Sequence, residues 1–246
     1  MSFGYFSRAD GLHMNFLDPA FLGALLTIIG VNIILSGDNA VVIALAARTL
    51  QGKQQKLAIF WGSGAAIVMR IVLTVFAVQL LAYPWLKIVG ALLLLWIGVK
   101  LLVPDDGDAK ISGHSTLFAA IKTILIADLV MSVDNVIAVA AAADAAPVEY
   151  KMTLLVLGLA ISIPLIIFAS TLLMKLMARF PVIITLGAAL LGFVAGEMAI
   201  TDPVDALWVK QNAAWMSYAM PAFCALLVVV VGTKLAKRQQ NEMDSA

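Results

Sequence analysis

The chain has 246 residues, 63% of them hydrophobic and 13% charged, with a mean hydropathy of +1.02. Soluble domains average about 45–50% apolar and 25% charged residues, so this composition excludes an ordinary soluble domain and describes a polytopic membrane protein partnered by the lipid bilayer. A net charge of +1 leaves no footprint for nucleic acid, and the single cysteine, Cys224 in an apolar run, excludes a disulfide framework and a Cys-based metal site.

In chain order, Met1 to Asn15 carry acid, glycine and histidine rather than a basic start and a short apolar core, so no cleavable signal peptide is expected. Met14 is a second candidate for the start. Apolar runs of about 18–25 residues can cross a ~30 Å hydrocarbon core. Seven are predicted, roughly Ala20–Ala47, Leu57–Ala82, Leu86–Val103, Leu117–Ala143, Met152–Lys175, Val182–Ile200 and Trp215–Ala236. Turn residues separate them, at Gln51-Gly52-Lys53, Tyr83-Pro84, Pro104-Asp105-Asp106-Gly107, Ala146-Pro147, Phe180-Pro181 and Thr201-Asp202-Pro203. Each must be an α-helix, because in lipid every backbone amide has to be satisfied within its own segment. His13 and His114 fall in polar connections and read as solvated. Tyr83, Trp85, Trp208, Trp215 and Tyr218 sit near helix ends, as an interfacial aromatic belt does.

Basic residues set the orientation. Arg48, Lys53, Lys56, Lys100, Lys110, Lys175, Arg179, Lys234, Lys237 and Arg238 lie on one side, against Arg8, Lys87, Lys151 and Lys210 on the other. The positive-inside rule then places the N-terminus outside and the C-terminus in the cytoplasm, in a bacterial inner membrane. Lys100, Lys122 and Lys175 are close enough to helix ends to snorkel.

A shift of 96 positions aligns Thr27 with Thr123, Ile28 with Ile124, Asn32 with Asp128, Ser36 with Ser132, Asp38 with Asp134, Asn39 with Asn135 and Gly62 with Gly158. After a one-residue slip, Gly90 meets Gly187 and Lys100 meets Glu197. A unit of three helices crosses the membrane an odd number of times, so its second copy is inserted upside down, a plan that transporters use with the working site at the midplane. The expected fold class is therefore an all-α polytopic membrane protein of seven transmembrane helices in a single domain. It has two inverted three-helix repeats, about 20–103 and 117–200, and one C-terminal helix, about 215–236.

The repeat duplicates a polar cassette, Ser36-Gly37-Asp38-Asn39 and Ser132-Val133-Asp134-Asn135, inside apolar helices. An aspartate at the bilayer centre costs roughly 2.5–3.5 kcal/mol on insertion scales, so a partner or a function is expected. Asn32, Ser36 and Asn39 fall at i, i+4, i+7 and share one stripe ~10 Å long, with Asp38 at its edge. Asp128, Ser132, Asn135 and Asp134 repeat the pattern. If the stripes face each other, Asp38, Asp134, Asp128, Asn39 and Asn135 enclose an oxygen-rich metal site that Glu197 of the sixth helix could close, supported by Asn32, Ser36 and Ser132. Carboxylate, amide and hydroxyl oxygens favour hard divalent ions such as Mn²⁺, Mg²⁺ or Ca²⁺ over Zn²⁺ or Cu⁺. The ion is then a substrate, with no permanently bound cofactor, and proton antiport is chemically reasonable. The asymmetry of the copies places it nearer Asp134 and Asp128, with Asp38 completing the shell. Gly37 faces Val133 in the alignment, so any unwinding is expected on one side only. Arg70, the one basic residue deep in a span, is expected to neutralise an acid when the site is empty, with a purely interfacial position as the alternative. Pro164 is expected to kink the fifth helix. The plain alternative for the cassettes is helix–helix glue, at about 0.6–2 kcal/mol per contact.

Ser36-Gly37-Asp38-Asn39-Ala40, Ser132-Val133-Asp134-Asn135-Val136 and the stretch from Gly187-Ala188-Ala189-Leu190-Leu191-Gly192 to Gly196-Glu197 resemble the TerC family of integral membrane proteins. The likeness runs from about Phe16 to Lys237 and is to the compact bacterial branch without appended cystathionine-synthase-like domains. It implies membership of a wider group of cation and amino-acid exporters, and a function in Mn²⁺ efflux or in supplying Mn²⁺ to secreted enzymes, contributing to metal homeostasis and resistance. It also implies that Asp38, Asp134 and Glu197 bind metal, a picture that Asp128 fits. The tellurium resistance behind the family name suggests no chemistry here, since the chain offers no thiols for oxyanion reduction.

Export of a divalent cation is thus the leading expectation, with no enzymatic activity. An intramembrane aspartyl protease would need Tyr-Asp and Gly-x-Gly-Asp contexts that neither cassette has. A non-transporting partner that delivers metal to secretion machinery would use the same ligands and stays open. So do a small-solute exporter, for which Arg70 is the only candidate cation, and assembly as a homo-oligomer.

Overall fold

The computed structural model describes residues 19–76, 83–103, 113–144 and 150–244. Expectations placed on 1–18, 104–112 and 145–149 lie outside the described residues. Among the described residues there are helices and no strand: α1 (Pro19–Leu35), α2 (Gly37–Ala47), α3 (Gly52–Val75), α4 (Leu86–Leu102), α5 (Gly113–Asp144), α6 (Lys151–Arg179), α7 (Val182–Ile200), α8 (Ala206–Asn212) and α9 (Met216–Asp244). Proline sets several limits, as its fixed φ and missing N–H require. Pro19 opens α1, Tyr83-Pro84 precedes α4, and Phe180-Pro181 separates α6 from α7. Pro164, where a kink was expected, lies within α6, which is assigned as one continuous helix.

Four described helices are long and apolar enough to cross a membrane: Gly52–Thr74, Lys151–Arg179, Val182–Ile200 and Met216–Glu242. The pair α1–α2, bent by 49° at a short break, makes a fifth if counted as one span. The third and fourth predicted spans coincide with α4, of 17 residues, and α5, of 32 residues. Large apolar side chains such as Leu26, Ile34, Phe118, Phe168 and Leu226 are exposed on the outside, as expected where lipid rather than water is the solvent.

Inside, α3 packs on α5, α6 packs on α1 and α2, and α4 packs on α7, which also carries α9. Small residues permit these approaches. A Cβ at Gly62 would collide with Ile124, and one at Gly158 with Ile28. Gly192 and Gly196 of α7 lie directly against the backbone of α9 at Cys224-Ala225 and Pro221. One buried apolar cluster joins α1, α2, α3, α5 and α6 through Ile28, Ile43, Ile67, Ile124 and Leu159. A second joins α2, α4, α5 and α7 through Leu45, Leu94, Met131 and Leu191.

The start of α4 is fastened from a distance. Trp85 has φ 70°, the one positive φ at a non-glycine among the described residues, a conformation uncommon for a bulky side chain. The buried Asp202, just past α7, accepts hydrogen bonds from the backbone N–H groups of Trp85 at 3.0 Å, Lys87 at 3.1 Å and Ile88 at 3.4 Å, and of its own neighbour Val204 at 3.0 Å. It satisfies amides that a helix N-terminus otherwise leaves without partners. Burial pushes its carboxyl up, but the N–H groups of Val204, Trp85, Ile88 and Lys87 together hold it below the usual carboxylate range.

Candidate ion-binding site at the broken helix

The first predicted span breaks inside its cassette. Ser36 (φ −106°, ψ 2°) interrupts the helix, so α1 ends at Leu35 and α2 begins at Gly37. α5 runs through the second cassette without interruption. The break is therefore one-sided, as expected from Gly37 in one copy and Val133 in the other. A helix interrupted in lipid exposes backbone groups that must find other partners. The Leu35 carbonyl accepts the side-chain amide of Asn39 at 3.2 Å and that of Asn135 at 3.1 Å. The two cassette asparagines, 96 positions apart, thus meet at one oxygen of the break. The N–H of Asn39 donates to Asp38 Oδ1 at 2.7 Å in the first turn of α2.

Beside the break lies a closed polar network centred on Arg70 of α3, whose side chain is only 1% exposed. Its Nε donates to Ser132 Oγ at 3.0 Å and its Nη1 to Asn32 Oδ1 at 3.0 Å and Ser36 Oγ at 3.1 Å. Its Nη2 pairs with Asp128 Oδ1 at 2.5 Å. Ser132 donates onward to Asp128 Oδ2 at 3.1 Å, and Ser36 to Asn32 Oδ1 at 3.4 Å. Three elements supply the groups: α1 and the break, α3, and α5. An isolated buried charge would be prohibitive, whereas one Arg and one Asp, each further hydrogen-bonded, make a neutral unit. Arg70 is thus buried between helices and paired with an acid.

Not every predicted ligand is here. Asn32, Ser36, Asp128 and Ser132 surround the guanidinium, and Asn39 and Asn135 meet instead at the Leu35 carbonyl. Asp38 is half-buried and feels the charges of both Arg70 and Asp128. The side chain of Asp134 lies outside the described set. Glu197 is not brought to this cluster; it is exposed on α7 and lines a separate cavity of about 320 Å³ with Lys87, Ile200, Thr201 and Ser217. Among the described residues no group of three or more His, Cys, Asp or Glu comes together. Among the described residues, one directly engaged acid, two hydroxyls and an amide surround Arg70.

Three buried polar atoms of these helices have no hydrogen-bond partner among the described residues: Asn32 Nδ2, Asn39 Oδ1 and Ser63 Oγ. Asn39 Oδ1 is thus an acceptor without a donor beside the break. Ser63 and Thr74, both buried on α3, were not singled out from the sequence. Ser63 stands seven positions before Arg70, on the same helical stripe, and Thr74 donates to the Arg70 carbonyl at 2.7 Å. The spacing to Arg70 is the signal that would have found them.

Residues 17–241 match the model of the integral membrane protein TerC family. The chain belongs to the TerC family. It is 42% identical to the Bacillus subtilis membrane protein YjbE over 196 residues, covering 80% of this chain and 88% of the relative. Two more distant relatives from the same organism are the membrane proteins YceF, 24% identical over 192 residues (74% of this chain, 72% of the relative), and YkoY, 27% identical over 207 residues (76% and 64%). No solved structure matches the chain. This TerC protein is accordingly a multi-pass integral membrane protein, consistent with a transporter.

Proposed function

We propose that the protein exports a hard divalent cation, with Mn²⁺ the first candidate, from the cytoplasm across the bacterial inner membrane by alternating access. The protein then has seven spans in two inverted three-helix repeats plus a C-terminal helix, its N-terminus outside. The observation that carries this reading is the buried set of oxygens at the broken helix, from Asn32, Ser36, Asp128 and Ser132, already arranged around a positive group. Hard oxygen donors in this setting favour Mn²⁺, Mg²⁺ or Ca²⁺ over thiophilic metals. Broken helices beside a charged midplane site are a recurring transporter device. The contacts Gly62–Ile124 and Gly158–Ile28 support the repeat, since each residue of one pair lies 96 positions from its counterpart in the other.

Other readings fit less well. An amino-acid exporter would need a guanidinium open to a carboxylate, but all three nitrogens of Arg70 are engaged within the protein. Proteolysis by the pair Asp38 and Asp134 would need the Tyr-Asp and Gly-x-Gly-Asp contexts that neither cassette has. The test is Mn²⁺ accumulation in Mn-sensitive cells expressing wild type, Asp38→Asn or Asp128→Asn. Wild type should lower cellular Mn²⁺ and the variants should not; equal accumulation in wild-type and empty-vector cells overturns the proposal. Purified protein in liposomes then separates direct transport from delivery through a secretion partner.

A further inference from the structure

We propose that Arg70 is a tethered competitor of the transported cation: its guanidinium occupies the cation position, and the cation enters only as Arg70 withdraws. The inference rests on the cation-transport reading above and goes beyond it by naming what holds the site between transport events. Arg70 does not merely approach one acid. It spends each of its nitrogens on the oxygens that would otherwise ligate an ion, namely Asn32 Oδ1, Ser36 Oγ, Ser132 Oγ and Asp128 Oδ1. Nη2, at 2.5 Å from Asp128 Oδ1, already occupies the side of that oxygen that faces Ser36 and Ser132 through the same guanidinium. A divalent ion would not settle beside the guanidinium, since like charges in a weakly screened interior repel strongly.

The orientation of the hydroxyls agrees with a site built for a positive guest. Ser132 directs its proton to Asp128 Oδ2 and Ser36 directs its proton to Asn32 Oδ1, so both turn lone pairs toward the guanidinium. A metal ion would use those same lone pairs. Around the rim, Asn39 Oδ1 is buried without a donor. Asp38, half-buried in the first turn of α2, lies within electrostatic range of Arg70 and Asp128. Neither is hydrogen-bonded to the guanidinium. α3 packs on α5 at Gly62 and Ile124, so Arg70 and the α5 oxygens it engages belong to two different helices of one packed pair.

This arrangement pairs Asp128 with Arg70 in the ion-free protein. Removing the competitor should therefore tighten cation binding while slowing turnover, because the emptied site is left with an uncompensated Asp128. A residue that merely held helices together would, on removal, weaken both.

The experiment measures Mn²⁺ binding to the full chain in lipid nanodiscs, by the loss of the free-ion electron paramagnetic resonance signal, with Mg²⁺ and Ca²⁺ as parallel probes. Arg70→Gln should bind Mn²⁺ at least tenfold more tightly than wild type yet export it more slowly. Arg70→Lys retains the charge and is the safer fold, and its single ammonium cannot span all four oxygens; it should bind a few-fold more tightly. Millimolar guanidinium should compete with Mn²⁺ in Arg70→Ala and leave wild type unaffected. Unchanged or weaker binding in folded Arg70→Lys and Arg70→Gln, with wild type binding Mn²⁺, overturns this inference alone. Failure of wild type and both variants to bind any of the three ions overturns the transport reading and this inference with it.

Discussion

Arg70 and Asp128 form a 2.5 Å ion pair between α3 and α5 in which both side chains are almost wholly buried. Removing one member of such a pair strands the other, a loss of about 3–5 kcal/mol in comparable buried pairs. Asp128→Ala should therefore lower the melting temperature in detergent sharply, and Asp128→Asn less, since an amide oxygen can still accept from Nη2. The double variant Arg70→Gln/Asp128→Asn, which leaves no charge behind, should recover much of the loss. A melting temperature for Asp128→Ala equal to wild type would remove the ion pair from the list of interactions holding α3 to α5.

The shared acceptor at the break predicts non-additivity. Asn39 and Asn135 both donate to the Leu35 carbonyl, and either bond alone satisfies it. Asn39→Ala and Asn135→Ala should each cost about 1 kcal/mol or less, in the range measured for single hydrogen bonds between membrane helices. The pair together should lose more than the sum, because the buried carbonyl is then left without a donor. Hydrogen exchange of the α2 amides just after the break reads this directly: strict additivity there would mean that the carbonyl finds another partner.

The glycine contacts carry a third prediction. Gly158→Val should destabilise by about 1–3 kcal/mol through overpacking against Ile28. Adding Ile28→Ala makes room and should return part of the loss. Gly62→Val with Ile124→Ala should behave alike, since the two contacts are equivalent under the 96-position shift. Rescue in one half and none in the other would show that the halves are packed differently despite their matched sequences.

Those contacts also show how far the sequence could be read. Periodicity places Ile28, Ile124, Gly62 and Gly158 on corresponding faces, and the physical need for helices in lipid does the rest. The position of the break was legible as well, because glycine at position 37 holds a helix less firmly than valine does at position 133. The partner of Arg70 was not. Sequence offered several acids for one cation, and the selection depends on α3 packing on α5 rather than on any local pattern. Glu197 illustrates the same limit. As an acid of the sixth predicted span it was expected to close the site, but α7 turns Gly196 toward Pro221 of α9, and the next residue, about 100° round the helix, is left facing outward. Asp202 was read only as part of a turn, since nothing local indicates that its carboxylate reaches amides 115 positions earlier.

Asp202 gives a prediction with a defined sign in pH. Its carboxylate holds three amides at the start of α4 together with the N–H of Val204, and these bonds hold its pKa below the usual carboxylate range. A group whose folded value is depressed contributes stability above its unfolded value, about pH 3.9, and loses that contribution as pH falls through the folded value. At neutral pH, Asp202→Ala should cost about 0.5–2 kcal/mol, as the loss of a helix cap does. Relaxation of the positive φ at Trp85 should accompany it. Asp202→Asn keeps one acceptor oxygen and should cost less. As pH is lowered below 3.9, the difference in melting temperature between wild type and Asp202→Ala should shrink, because wild type progressively loses the charge that the variant never had. A difference that stays constant down to pH 2 would mean that the carboxylate charge contributes nothing at this cap, leaving shape and hydrogen bonding alone to hold α4.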